Sequence, residues 1–184
     1  MMELETQRLH LRPHRRGDLD HLAALYADPE VTEFTKLGQL TRAEAKATLE
    51  GNLADWRKKK FGICAVFVKS SGEFAGECGL FGLESSGDIA LRYAFHKRFW
   101  GQGLATEAAY AVIDNAFRRL GLKRIVSLVE GPNDASHHVT KKLGLSIERI
   151  AQTSKDELYV YAVTAEQWAK HRRLSSMRRG QRLS

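Results

Sequence analysis

One short segment combines residue types that could do chemistry together: Arg98-Phe99-Trp100-Gly101-Gln102-Gly103-Leu104-Ala105-Thr106. Glycines at 101 and 103 let backbone N–H groups approach a ligand without a Cβ in the way. The helix expected to begin at Gly103 offers unpaired N–H donors and the positive end of its dipole. Arg98 adds a full charge. Together these make a cradle for a pyrophosphate. A P-loop is excluded, because no Lys-Ser or Lys-Thr follows the glycines. A dinucleotide fingerprint fails as well, since Thr106 stands where its third glycine belongs. A bare Gly-x-Gly is also compatible with a turn that binds nothing.

Other reactive side chains are scattered. Cys64 and Cys78 are too few for a disulfide framework or a four-cysteine metal site and sit in apolar, strand-like text, which favours buried reduced thiols. His137 and His138 are neighbours on an expected helix, so they do not converge on one ion, and no metal is expected. Asn133 and Ser136 suit the start of that helix, where both residue types serve as caps. Glu77 lies among the small residues Gly76, Cys78 and Gly79, which could line a cleft.

The elements around these residues follow from periodicity and turn chemistry. Leu9–Pro13 alternates like a short strand. Asp18 is expected to cap a helix with an apolar stripe of Leu19, Leu22, Ala23 and Tyr26, ended by Asp28-Pro29. Thr41-Arg-Ala-Glu44 has the form of a capping box opening a helix to about Lys59, buried through Leu49, Leu53 and Trp56. Phe61–Lys69, Phe74–Leu83 and Asp88–Phe95 read as an antiparallel meander, and Gly76, Gly79 and Gly82 point to a bulge or bend in its middle strand. The order then changes to a helix from Gly103 to Arg119, a strand from Arg124 to Val129, and a helix from Asn133 to Leu143. A hairpin of Ile147–Gln152 and Leu158–Thr164 follows, then a short helix through Trp168. The expected class is mixed α/β, a mostly antiparallel sheet with helices on both faces.

Length suits one domain, residues 1–174, with a basic tail over 175–184 that reads as flexible. The net charge of +7 is concentrated at that end: Lys170, Arg172, Arg173, Arg178, Arg179 and Arg182 occur without an Asp or Glu. Without those six, 23 basic residues face 22 acidic ones, so the fold is nearly neutral. A weak contact with RNA or a ribosome through the tail is one expectation, and a merely solvated tail is the plainer one. No stretch reaches the roughly 20 apolar residues of a membrane span. With Glu3 and Glu5 so early, the N-terminus does not resemble a secretory signal, and a cytoplasmic location is expected.

Arg98, Gly101 and Gly103, as Arg-x-x-Gly-x-Gly, resemble the coenzyme A motif of the GNAT N-acetyltransferases. WGQGLATEA is similar to the RimJ/RimL-type branch, which acetylates protein N-termini among other amines. LETQRLHLRPHRRGDLDHLAALYADPEV resembles that branch's opening, and Asn133-Asp-Ala-Ser136 with Lys142-Leu-Gly144 resembles its N-x-x-S…K-x-G-F segment, with Leu145 for Phe. The resemblance covers roughly residues 3–168. It implies that the strands ending at His96 and running from Arg124 splay apart to admit the pantetheine arm. Backbone near Ala94, Phe95 and His96, the loop Arg98, Trp100, Gly101, Gln102, Gly103, Leu104, Ala105 and Thr106, and Asn133 would then hold acetyl-CoA. Ser136 would assist the departing thiolate. Glu77 is the first candidate for a general base, with Asp88, His96, His137 and Glu157 behind it. The implied reaction is direct acetyl transfer to a primary amine, either a protein N-terminal α-amino group or a small molecule, by a monomer or homodimer. A CoA-binding module without turnover is the competing reading, and other acyl donors such as succinyl-CoA stay open.

Overall fold

A computed structural model describes the backbone of residues 3–180 and side chains as far as Leu174. Eight strands form one sheet: β1 (Leu4–Glu5), β2 (Leu9–Pro13), β3 (Ile63–Val68), β4 (Phe74–Gly82), β5 (Ile89–Phe95), β6 (Arg124–Glu130), β7 (Ser146–Gln152) and β8 (Glu157–Thr164). Their spatial order is β1-β2-β3-β4-β5-β6-β8-β7. Every pairing is antiparallel except β5 with β6. The helices are α1 (Leu19–Ala27), α2 (Pro29–Thr32), α3 (Arg42–Lys59), α4 (Leu104–Arg118), α5 (Asp134–Lys142) and α6 (Ala165–Gly180). The expected fold class is the observed one. Among the described residues no helix is long and apolar enough to cross a membrane.

Strand alternation sorts the core onto two faces. Cys64, Val66, Leu91 and Phe95 point to one side and pack with Leu104, Ala108, Val112 and Ile113 of α4. That α4 spacing puts one apolar stripe on the sheet. Trp168 of α6 seals the outside of α4, with its indole N–H donating to Asp114 at 3.1 Å. Ala65, Phe74 and Ala94 point to the other side and meet Leu22, Leu25 and Tyr26 of α1 and Leu49 of α3.

Local signals held where the partner is local. Thr41 and Glu44 form the reciprocal capping box of α3, and the register of β3 against β4 shifts beside Val66 and Phe67. At Gly76 (φ +154°) a Cβ would lie 2.1 Å from the Ala94 carbonyl oxygen, so only glycine lets β4 and β5 approach there. Three expectations change. Asp18 stands at the N-cap position of α1, but its side chain makes no capping bond. Its carboxylate is drawn into the protein by Arg12 (2.7 and 2.8 Å) and the Arg15 N–H. Asp28-Pro29 ends α1 and also starts α2, with Asp28 capping Glu30 N–H and Pro29 at the first position. The last helix runs on to Gly180, past Trp168 and into the expected tail, because no glycine or proline interrupts it and its residues favour helix. Residues 181–184 of that tail lie outside the described residues, while Arg172, just before the tail, is ion-paired with Asp114 at 2.8 Å.

Candidate active site

The parallel pair at the middle of the sheet is short. β5 and β6 share only Ala90 with Val126 and Leu91 with Ser127. Beyond them β5 stays paired with β4 through Phe95, and β6 stays paired with β8 through Glu130. A gap therefore opens between Arg92–Phe95 and Leu128–Glu130, as the sequence resemblance implies. The His96 N–H donates to Ala75, which fixes the parity of β5. Ala94 then uses its backbone groups against Glu77 of β4, while Tyr93 and Phe95 turn theirs toward the gap. Of the expected backbone contacts, Phe95 is at the gap, Ala94 is not, and Tyr93 joins it. The Phe95 carbonyl accepts the Trp100 indole N–H at 2.7 Å, which ties the gap to the next loop.

That loop is built as the glycines require. Gly101 (φ +72°) and Gly103 (φ +75°) both occupy the left-handed region that glycine enters without penalty. Gly103 is the N-cap of α4, and no side chain caps that helix. The first backbone bond of α4 joins Glu107 N–H to the Gly103 carbonyl, leaving the N–H groups of Leu104, Ala105 and Thr106 at its open start. Gln102 folds back to donate to the Arg98 carbonyl at 2.8 Å. Arg98 is largely exposed, lies over the Phe99 ring, and is 3.6 Å from Glu73. Arg8, which the sequence reading missed, holds the loop from below. It donates to the Gln102 carbonyl at 2.9 Å while its Nε pairs with Glu107 at 2.7 Å. Only the fold makes residue 8 a neighbour of residue 102. A cleft of about 470 Å³ lies beside the loop, lined by Arg8, Lys69, Phe99, Gln102 and Leu104. An uncapped helix start, two left-handed glycines and flanking cations fit a pyrophosphate-bearing ligand.

Across the gap, Asn133 caps α5 by accepting the Ser136 N–H at 3.0 Å. The capping reading of Asn133 is thus correct in itself, and it orients Ser136. On the same face as Phe95, the Tyr93 hydroxyl is buried next to the Ser136 side chain without a well-formed hydrogen bond among the described residues. Burial pushes this phenol up to about 12, against a smaller opposing effect of the Ser136 hydrogen-bonding group. α5 carries no tyrosine, and the one beside Ser136 comes from β5.

Glu77 does not line a cleft. It is 0% exposed, beneath α1, and its Oε1 accepts the Tyr26 hydroxyl at 2.6 Å and Arg92 Nη2 at 3.0 Å. Its Oε2 lies 3.4 Å from His14 Nε2. Burial alone would raise its pKa, but the Arg92 charge and the His14 and Tyr26 contacts outweigh that and hold the carboxyl at about 2. So strongly held a carboxylate is a poor proton acceptor, which argues against Glu77 as the general base. Its small neighbours serve close strand packing rather than a cleft wall. The other candidates also have partners. Asp88 is paired with Arg124 at 3.0 Å, Glu157 accepts the Tyr159 hydroxyl, and His137 contacts the Tyr161 hydroxyl at 2.7 Å. His96 is half-buried at the end of β5, and burial, then Arg98, lowers its pKa. Among the described residues no three His, Cys, Asp or Glu side chains come together as a metal group. Cys64 and Cys78 face each other across β3 and β4 as free buried thiols, and burial pushes Cys64 up to about 12.

Residues 8–146 match the acetyltransferase (GNAT) domain. The chain is 27% identical over 180 residues to the uncharacterized N-acetyltransferase p20 of Bacillus licheniformis, covering 92% of this chain and 99% of that one. An acetyltransferase from Agrobacterium tumefaciens superposes with a TM-score of 0.79 at 27% identity, over 89% of this chain and 94% of its own. RimL, a ribosomal L7/L12 α-N-protein acetyltransferase solved with coenzyme A, shares the fold with a TM-score of 0.78 at 18% identity, over 89% and 98%. A glycine loop at an uncapped helix, a parted pair of strands and a domain match that spans both lead to one statement: the chain belongs to the GNAT acetyltransferase family and is an acetyl-CoA-dependent N-acetyltransferase.

Proposed function

We propose that the acceptor is an α-amino group at a protein or peptide N-terminus, acetylated by direct attack within a ternary complex. The observation that carries this reading is the gap at Arg92–Phe95, which has Tyr93 and Ser136 on one face of the sheet and Arg92 on the other. The pantetheine arm of acetyl-CoA fits along the Tyr93 and Phe95 backbone, and its pyrophosphate fits Gly101–Ala105 with Arg98. A donor N–H in the gap stabilises charge that develops on the thioester oxygen. An α-amine has a reference pKa near 7.7–8.0, so a useful fraction is neutral near pH 7.5 without a strong base. A lysine at about 10.4 would need one. This matches a site where Glu77 is buried beneath α1 and held ionised by Arg92, His14 and Tyr26. The Ser136 hydroxyl donates toward the departing thiolate, with the Tyr93 hydroxyl beside it. The short turn Thr153–Asp156 is compatible with an open groove for a peptide chain, and the likeness to RimL supports the same acceptor.

Calorimetric titration with acetyl-CoA, beside a Gly101→Val/Gly103→Val control, tests the donor site. Mass spectrometry of peptides with free or blocked N-termini then tests the acceptor. Micromolar binding lost in the control, with a 42 Da gain only on free N-termini, is expected on the order of minutes to hours at turnover rates near ~10 s⁻¹ or below. Acetylation confined to lysine side chains would overturn the acceptor assignment.

A further inference from the structure

A second cleft, of about 320 Å³, lies on the α1–α3 face of the sheet and is lined by Thr48, Asn52, Asp55, Phe81, Glu84 and Arg92. Its inner wall, Arg92, is the first β5 residue past the last pair with β6, so this cleft and the gap meet at one residue. Two donors in its wall lack partners among the described residues. One is Asn52 Nδ2, on a residue only 8% exposed, and the other is Arg92 Nε. Arg92 is fixed by its Nη2 bond to Glu77 at 3.0 Å and by lying against the Phe81 ring. Asp55 is paired with Lys59 at 2.9 Å and the exposed Glu84 adds a second carboxylate, so the buried donors of this cleft are Asn52 and Arg92. A buried donor without a partner costs about 1–3 kcal/mol, and an incoming acceptor atom recovers that cost.

We infer that this cleft binds the acceptor substrate by a carbonyl oxygen one carbon from the reacting amine, with Asn52 and Arg92 as its donors. This rests on the acetyl-transfer reading and narrows its substrate class. In a peptide N-terminus or an α-amino acid, the amine and carbonyl share one carbon. A carbonyl held at Asn52 and Arg92 therefore leaves the amine at the mouth of the gap. A polyamine offers no carbonyl oxygen to Asn52 and sets positive charge against Arg92, so these two donors disfavour it, against the opposing pull of Asp55 and Glu84.

The test compares kcat/KM, per neutral amine, for alaninamide, alanine, isopropylamine and spermidine, with acetyl-CoA affinity measured on the same preparations. Alaninamide is expected to exceed isopropylamine at least about tenfold, the worth of one hydrogen bond to a buried donor. Alanine against alaninamide separates a free carboxylate from a peptide carbonyl as the natural group. Asn52→Leu removes the donor and Asn52→Asp replaces it with an acceptor. Each is expected to cut the alaninamide preference about tenfold while leaving acetyl-CoA affinity and thermal stability near wild type. A wild-type ratio near one, a preference for spermidine, or a ratio unchanged in both variants would overturn the inference. Absence of acetyl-CoA binding in the wild type would bring down the acetyl-transfer reading and this inference with it. Intact binding without carbonyl preference would bring down this inference alone.

Discussion

Replacing Glu77 by Gln removes the negative charge on which a buried cluster closes while keeping the side chain's shape. The folded carboxyl is held at about 2 against a reference of 4.5. At roughly 1.4 kcal/mol per pKa unit, that difference corresponds to a contribution on the order of 3 kcal/mol at neutral pH. An independent comparison agrees, since removing one partner of a buried ion pair costs about 3–5 kcal/mol because the other charge stays buried. For a chain of this length, 3 kcal/mol lowers Tm by about 6–12 °C. The sign in pH follows from the depressed folded value. The contribution is complete above about pH 4.5 and disappears as pH falls toward 2, so the variant and wild type should converge there. Thermal and urea unfolding at pH 7.5, then in steps through the acid range, measures both the gap and its closure. The pH–rate profile for acetyl transfer should keep its shape, because Glu77 holds Arg92 and takes no proton from the amine. A Tm within about 2 °C of wild type at pH 7.5, or a gap that stays constant into acid, would refute the assigned charge state. A pH–rate limb that vanishes in the variant would restore Glu77 as the base.

Gly76→Ala forces a Cβ to 2.1 Å from the Ala94 carbonyl oxygen and 2.7 Å from Phe95 Cα, both backbone atoms that cannot swing away; a loss of about 3 kcal/mol or more is expected, read as a Tm drop of about 6 °C or more. Gly103→Val places a β-branched residue at φ +75° and is expected to weaken acetyl-CoA binding at least tenfold in calorimetry while the circular dichroism spectrum stays native. Ser136→Ala should lower kcat by about one to two orders of magnitude, and Tyr93→Phe by a smaller factor. If the two hydroxyls act as one unit, the double variant falls no further than Ser136→Ala alone, and fully additive losses in steady-state kinetics would separate them.

Much of this protein was legible in its sequence because the deciding contacts are local. The capping box of Thr41 and Glu44 spans three residues, and the left-handed turns at Gly101 and Gly103 need only the absence of a Cβ. Helix and strand periods record which side of each element is buried, so the sheet with helices on both faces followed, and the Arg98–Gly103 pattern named the family. Tertiary structure decided what depends on strand register and on residues far apart in the chain. Asp18 had the local form of a helix cap, but a nearby guanidinium from β2 binds a carboxylate more strongly than a backbone N–H does. Glu77 stood among small residues in a row of text that fits either a cleft wall or a tight sheet, and only the arrival of Tyr26, His14 and Arg92 from three other segments chose the second. The meeting of Tyr93 with Ser136, and of Asn52 with Arg92, has no trace in spacing at all. A one-residue slip in β5 would turn Tyr93 and Arg92 to the opposite faces, and that register is set by the whole sheet rather than by either neighbour.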